Sequence, residues 1–483
     1  MRNLAALAAA TMLASCNFAP KYVQPTPPVA PAFPDTGAIP AARPAVEIGW
    51  REFFQDARLQ GYIAAALANN RDLAQAVARV AQARAQYRIQ NAERLPQVDA
   101  VLGASRTRTP TESLGFPTTG AGTGNGEVPA DQGASSFTLN QFSAGVQVAS
   151  FELDFWGRVA NLSEAARREY LASQEAADAF RLSLIGQVAA TYLQIRAGEE
   201  QIALAERTVV GRRRGVEIAR KRMDAGVTSS VDFDQAALLV TQAEAELAEL
   251  RRTVEQSQNL LTVLVGGPIS QPLPPARPLS DPGIYANVEP GLPSDLLANR
   301  PDIRQAEQRL RAANANIGAV RAALLPQISL TGLLGFISPT LGGLFSGDAF
   351  QYRAGVNATQ GLLTWGRSTG DIRLTEAQRD ELVAAYQRAA QEGFREVADA
   401  LVARQRYAEQ IAVQQRAVTA QQRLVRVARL RYDNGLSIYL EVLDAERNLF
   451  AAEQQLLALR SAQLQSEVSL YVALGGGLRD TSA

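Results

Sequence analysis

Two long stretches of the chain carry apolar residues at three- and four-residue steps, and shorter stretches between them alternate at every second position. From about Asn161 to Asp224, and again from Arg367 to Asp433, no proline interrupts a pattern rich in Ala, Gln, Glu, Arg and Leu. Leu182, Ile185, Val188, Ala189 and Tyr192 fall where a helix turns one face to a packing partner. Runs of roughly 60 residues with such a seam predict coiled-coil helices rather than the helices of a globular core. Each run ends at a matched turn, Arg222-Met-Asp-Ala-Gly226 and Arg431-Tyr-Asp-Asn-Gly435. Glycine there suits the left-handed position that closes a helix. A returning helix is predicted from about Val231 to Val265 and from about Leu440 to Leu474, so each half presents a hairpin tip.

The alternating stretches read as strands at about 97–106, 137–153, 327–337 and 350–363. Val98, Ala100, Leu102 and Ala104 share one face, opposite Asp99, Gly103 and Ser105. Phe142, Ala144, Val146 and Val148 oppose Ser143, Gly145 and Gln147; Ile328, Leu330, Leu334 and Phe336 oppose Gln327, Ser329 and Thr331. Tyr352, Ala354, Val356 and Ala358 oppose Arg353, Asn357 and Thr359. One such strand fits a half-buried sheet as well as a membrane barrel. Four of them in two hairpins favour the barrel, with Gly/Thr/Ser/Pro-rich loops at 109–136 and 338–349 as exposed turns. Four strands cannot close a membrane barrel, which needs at least about eight. Strands must then be pooled between chains, and three copies supply twelve.

The pattern occurs twice because the chain is a tandem duplication. Leu67–Val98 aligns without a gap on Leu297–Ile328, with 13 of 32 positions identical, at an offset of 230. Arg222–Gly267 aligns likewise on Arg431–Gly476, with 15 of 46 identical, at an offset of 209. Length changes therefore concentrate in the loop region between the strands. Units of this kind pack side by side, and their predicted shape is a tube. The expected organisation is a first repeat over 49–267, a Pro-rich connector over 268–293, a second repeat over 294–477 and a tail over 478–483.

Composition adds an address and removes several chemistries. Arg2, the apolar run Leu4–Leu13 and Leu13-Ala14-Ser15-Cys16 read as an export signal over 1–15, too short to span a membrane. Leu-Ala-Ser-Cys resembles a bacterial lipobox, which makes Cys16 the lipidated first residue of the mature chain. Asn17 after it fits sorting to the outer membrane. A Pro-rich tether follows, to about residue 48. With one cysteine and no histidine, intramolecular disulfides, cysteine-based zinc sites and Ser-His triads are excluded. A formal charge of zero gives no basic footprint for nucleic acid. No Gly-rich phosphate loop is present, so no nucleotide cofactor is expected. Beyond the signal no apolar run reaches the length of a spanning helix.

In the order and spacing of its motifs the chain resembles the outer-membrane channels of tripartite efflux pumps, the TolC family, in its OprM-like lipoprotein type. The motifs are Phe151-Glu-Leu-Asp-Phe-Trp-Gly-Arg158, Gln187-Val-Ala-Ala-Thr-Tyr-Leu-Gln194, Arg300-Pro-Asp-Ile303 and Gly435-Leu-Ser-Ile-Tyr-Leu-Glu-Val-Leu-Asp-Ala-Glu-Arg447. The resemblance implies a mainly α, TolC-like fold. A trimeric twelve-stranded barrel in the outer membrane would continue as a long α-helical conduit through the periplasm. A collar of the Pro-rich tail, connector and C-terminal segments would surround it. It implies a passive exit duct for small molecules such as drugs, without catalytic residues, cofactor or metal. The partners implied are outer-membrane lipid, a periplasmic membrane-fusion adaptor and, through it, an inner-membrane pump. Two other readings are a channel for type I protein secretion and a periplasmic cell-wall lytic lipoprotein acting through one glutamate. Glu152, at a strand–helix junction without a cleft signature, is the only acid that the enzyme reading offers.

The resemblance places a closed aperture at Leu440 and Asp444, one helical turn apart and so on one face. Repeated by threefold symmetry, an apolar ring excludes water and a carboxylate ring favours cations. Crowding raises the pKa of such carboxylates, which would make a gate sensitive to pH and divalent ions. The plain alternatives are a solvated acid at Asp444 and coiled-coil packing at Leu440. The first repeat has Val231 and Gln235 at the matching sites; Asp232 and Gln235 are possible lining residues, and Asp234 lies nearby. The tips, Gly226, Val227, Thr228 and Ser229 with Gly435, Leu436 and Ser437, are expected to meet the adaptor, although turn chemistry alone accounts for the glycines. Arg212–Arg214 read as a solvated basic face, and Arg300-Pro301 as a helix start.

Overall fold

A computed structural model describes residues 17–34, 43–110, 136–268, 273–285, 288–289 and 291–478. The proposed lipidation site Cys16 and most of the 109–136 loop lie outside these residues. In chain order the elements are β1 (Arg43–Pro44), α1 (Trp50–Phe53), α2 (Ala57–Asn69), α3 (Arg71–Ala92), β2 (Asp99–Pro110) and β3 (Ser136–Glu152). Then come α4 (Arg158–Asp224), α5 (Ser230–Val265), β4 (Val288–Glu289), α6 (Pro293–Asn299) and α7 (Pro301–Ala322). The chain finishes with β5 (Gln327–Ser338), β6 (Phe350–Thr359), α8 (Arg367–Asp433) and α9 (Tyr439–Ala473). The long helices α4 and α8 have 67 residues each, so the proline-free runs do mark single helices. No helix among the described residues is long and apolar enough to cross a membrane.

The chain forms two compact units, each drawing on both repeats. One comprises the described parts of 1–22, 85–167 and 311–379, and holds the sheet. Its order is β2-β3-β5-β6, antiparallel throughout. Register makes the apolar face continuous. Ala100, Val146, Leu334 and Tyr352 stand opposite one another across the four strands, as do Leu102, Ala144, Phe336 and Phe350. Many of these side chains are open to solvent, Leu102 at 84% and Tyr352 at 78%. The other face is mixed rather than purely polar, since the row Asp99–Gln147–Leu333–Arg353 includes a leucine. Gly145 and Gly335 face one another there; a Cβ on either would sit 2.7 or 2.4 Å from a neighbouring carbonyl oxygen, so the two strands require glycine. A bulge between Val148 and Phe151 adds one residue to β3. The loop at 338–349 contains two short 3-10 turns, Leu341–Gly343 and Gly347–Ala349. β6 ends at Thr359, four residues before the predicted limit, because β5, its only partner among the described residues, begins at Gln327 opposite Thr359.

The second unit, residues 23–84, 168–310 and 380–483 where described, is helical. Its core joins α1 and α2 to the middle of α4 and α8 and the ends of α5 and α9. Phe53 stacks on Tyr471 at 3.8 Å between ring centroids, and the Tyr471 hydroxyl donates to the Ile48 carbonyl at 2.7 Å. The Pro-rich segment follows α8: Gln387 and Gln391 donate to the Thr26 and Pro28 carbonyls, and Phe33 stacks on Phe394. The connector ties in through Tyr285, whose amide donates to the Phe53 carbonyl at 2.9 Å.

Two acids on these helices are largely, though not fully, shielded from water. Burial pushes the Glu467 and Glu175 carboxyls above their ordinary value, and Arg404 and Arg304 offset this only in part. A carboxyl whose folded pKa exceeds its unfolded one binds more protons when folded. Its contribution to stability therefore rises as pH falls from neutrality, and levels off below the ordinary carboxylate range. Thermal midpoints should show this as a stabilising trend on mild acidification, made shallower by Glu467→Gln. An identical pH slope in the variant would rule Glu467 out as a source.

Candidate functional site

The hairpin tips are built by one turn used twice. Gly226 has φ +70° and Gly435 φ +71°. In each tip the next amide reaches back to close the helix: Val227 N–H donates to the Arg222 carbonyl at 2.9 Å, and Leu436 N–H to that of Arg431 at 2.8 Å. That is a Schellman-type end, in which a residue with a Cβ would be strained at the glycine. Beyond the turns Val227, Leu436 and Ile438 are 64%, 71% and 63% exposed, an apolar cap on both tips. Thr228 hydrogen-bonds through its Oγ1 to Asp232, which holds that carboxylate beside its own turn.

Below the tips a small core fixes one hairpin against the other. Ala219, Ala236, Ala428, Tyr432, Tyr439, Val442 and Leu443 are buried together. The Tyr432 and Tyr439 rings lie 4.9 Å apart, and the Arg222 guanidinium sits 4.4 Å above Tyr432. The Tyr439 hydroxyl occupies the notch left by Gly215, 2.1 Å from where a Cβ would be. Burial, reinforced by Glu446, pushes the Tyr439 phenol up to about 12.

Leu440 and Asp444 therefore project from a helix whose opposite face is anchored. Leu440 is 40% exposed and Asp444 is half-buried, one turn apart on α9. An Asp444 oxygen accepts an ion pair from Arg447 at 3.0 Å, so the acid is neither isolated nor buried. Of the first-repeat positions, Val231 is 57% exposed, Gln235 is half-buried and Asp234 is exposed. The structure thus brings Leu440 and Asp444 onto one face and leaves Asp232 engaged with Thr228.

Sequence reasoning missed three arginines. Arg447 follows Asp444 by three residues, a spacing that signals a helical ion pair. Arg212 is not part of a solvated face: it is 7% exposed, donates to the Leu239 carbonyl at 2.8 Å and packs over the Phe450 ring. Burial lowers its pKa, against the pull of Glu446 and Glu246. Arg213, paired with Glu244, and Arg214 are both exposed and fit the solvated description. Arg300 does more than precede a helix, since it binds Asp302, Glu396 and the Ala473 carbonyl. Glu152 is held by Arg158 at 2.5 Å, in an ion pair at the end of β3.

Residues 62–267 and 292–476 match the family model described as outer membrane efflux protein. The chain is 39% identical over 475 residues to a probable efflux pump outer membrane protein, TtgC, of Pseudomonas putida, covering 97% of this chain and 94% of that one. To the cation efflux system protein CusC of Escherichia coli it is 36% identical over 471 residues, 97% of each chain. Among solved structures, the open state of the Neisseria gonorrhoeae MtrE outer membrane channel superposes with a TM-score of 0.84 at 35% identity, over 97% of this chain and 100% of that one.

Proposed function

The chain belongs to the outer membrane efflux protein family, and we propose that three copies of it close one barrel and form a passive, gated exit duct for small molecules. The sheet carries this reading. It has four strands, two outer edges with no partner among the described residues, and an apolar row running across every strand. In lipid such edges are tenable only when another copy covers them. Three copies supply twelve strands, as the TolC-like fold implies, and Cys16 would add a lipid anchor to the barrel. Lipidation at one cysteine reinforces attachment, and insertion of the barrel fixes it.

The long helices would carry the lumen into the periplasm, with Leu440 and Asp444 ringing its closed end. The apolar caps at Val227 and Leu436–Ile438 are the natural contact for a periplasmic adaptor, through which an inner-membrane pump supplies energy. Besides CusC, named for cations, two other relatives, ArpC and SrpC of Pseudomonas putida, are named for antibiotics and for solvents, a breadth that suits a wide conduit whose selection lies in the pump. Detergent-extracted protein is expected to run as three chains and to give conducting channels in a planar bilayer. A stable monomer without conductance would count against the whole reading, and a two-chain particle against the number of copies.

A further inference from the structure

The two repeats leave the sheet through the same three residues, Trp156-Gly157-Arg158 and Trp365-Gly366-Arg367, yet the two tryptophans differ. The Trp156 indole N–H donates to the Pro326 carbonyl at 2.9 Å, just before β5 begins. Trp365 is 93% exposed and has φ +48°, which no other non-glycine residue among those described shares. Pro326 stands in Leu325-Pro326-Gln327, whose copy in the first repeat is Leu95-Pro96-Gln97, just before β2. Trp365 cannot reach its own Pro96 in the same way. Strands β2 and β6 are opposite edges of the sheet, about 14 Å apart at the usual strand spacing.

We propose that the seam between copies repeats the chain's own β3–β5 seam. In the closed barrel β6 already lies antiparallel to β2 of the partner subunit; the repeat adds the register of that pair and a contact in which Trp365 donates to the carbonyl of Pro96 of the partner subunit. This deepens the multi-copy barrel proposed above and rests on it. The internal seam also sets the register. Phe151 and Glu152 pair with Leu330 and Ser329, and Leu153 N–H donates to the Ile328 carbonyl at 2.8 Å. These residues lie beyond Gln147, the residue opposite Asp99 at the start of β2, so β5 alone holds them.

Carried through the offsets of 209 and 230, Gln360 faces Ala100 of the partner subunit. Gly361 then faces Asp99 of the partner subunit, and Leu362 faces Val98 of the partner subunit. Farther along, Asp99 pairs with Gln147 while its copy Ser329 pairs with Asn357, an offset of 210. β6 therefore lacks the extra residue of the β3 bulge, and the register runs on unbroken. Thr359 faces Val101 of the partner subunit, and Ala358 faces Leu102 of the partner subunit.

Two independent observations agree with this register. Parity is the first: Leu362 with Val98, Ala358 with Leu102 and Val356 with Ala104 all join apolar-face residues. A slip of one residue would set Leu102 against Asn357 or Thr359. The second is the shortfall of β6. The strand expected from the sequence runs to about 363, but β6 stops at Thr359, with Leu362 and Leu363 exposed at 87% and 80%. Gln360, Gly361 and Leu362 are the copies of Phe151, Glu152 and Leu153, which only β5 holds in the first repeat. Their missing partner is the β2 edge.

The seam is read by paired cysteines in native membranes. With Leu362 at a hydrogen-bonded position, Thr359 and Val101 form a non-hydrogen-bonded pair, whose Cα spacing of about 4.5 Å permits a disulfide. Thr359→Cys combined with Val101→Cys is expected to yield a covalent three-chain ring on mild oxidation. Neither single variant should, nor should Thr359→Cys with Ser105→Cys, four residues out of register. Trp365→Phe keeps the ring and removes the donor, and should lower the temperature at which the particle falls into single chains. Linking in the shifted pair, or in neither pair while a multi-copy particle persists, overturns the register. An unchanged dissociation temperature overturns the indole contact. A particle of one chain overturns the barrel itself.

Discussion

Alanine at both Leu440 and Asp444 is expected to raise the closed-state conductance of the reconstituted channel several-fold. The two side chains share one exposed face of α9, while the other face is pinned by Tyr439, Val442 and Leu443 in the core beneath the tips. Truncating them widens the proposed aperture without disturbing that core. The ion pair lost with Asp444 is half-exposed and contributes about 1 kcal/mol at most, so the tips should stay folded. The effect thus falls on permeation, where an apolar ring resists wetting and a carboxylate ring sets the field. Asp444→Ala alone leaves Arg447 without its partner. The expected result is a modest rise in conductance together with a shift of ion preference from cations toward anions. Reversal potentials in a salt gradient read that shift separately from pore width. If conductance and selectivity both match those of the unmodified channel, the aperture lies elsewhere.

What the sequence disclosed follows from how locally each feature is specified. The bounds of α8 at Arg367 and Asp433 were legible because proline, glycine and the apolar seam are all near neighbours along the chain. The same holds for the paired tip glycines, whose left-handed conformation is a property of the turn itself. Strand faces were legible because alternation has a period of two. Partnership across the fold left no such trace. Arg212 and Arg300 are ordinary arginines on a helix until distant carbonyls and carboxylates close around them. The end of β6 could not be read from its own residues, since a strand stops where its partner stops. Leu440 and Asp444 stand between the two cases. Spacing put them on one face, but what that face meets depends on other copies.

Arg300→Ala is expected to be the most destabilising single substitution considered, at about 2–4 kcal/mol. Arg300 is 8% exposed and makes a two-pronged bond to Asp302, with Nε at 3.0 Å and Nη2 at 2.7 Å. Its Nη1 reaches Glu396 on α8 at 2.8 Å and the Ala473 carbonyl at the end of α9 at 3.0 Å. One guanidinium thus joins the start of α7 to two other helices. Gly393 makes room for it, because a Cβ there would come within 3.1 Å of its Nε. Removing the side chain opens a cavity and strips the Ala473 carbonyl of its donor. It also leaves two acids close together without a cation. Both acids are more than two-fifths exposed, so water recovers part of their cost, and the estimate stays below that of a fully buried pair. Arg300→Lys should recover only part of the loss, because an ammonium restores the charge but not the planar fork that engages three groups at once. Chemical denaturation of the assembled protein would rank the variants. A lysine variant as stable as the parent would show that charge alone, rather than the fork, binds these helices.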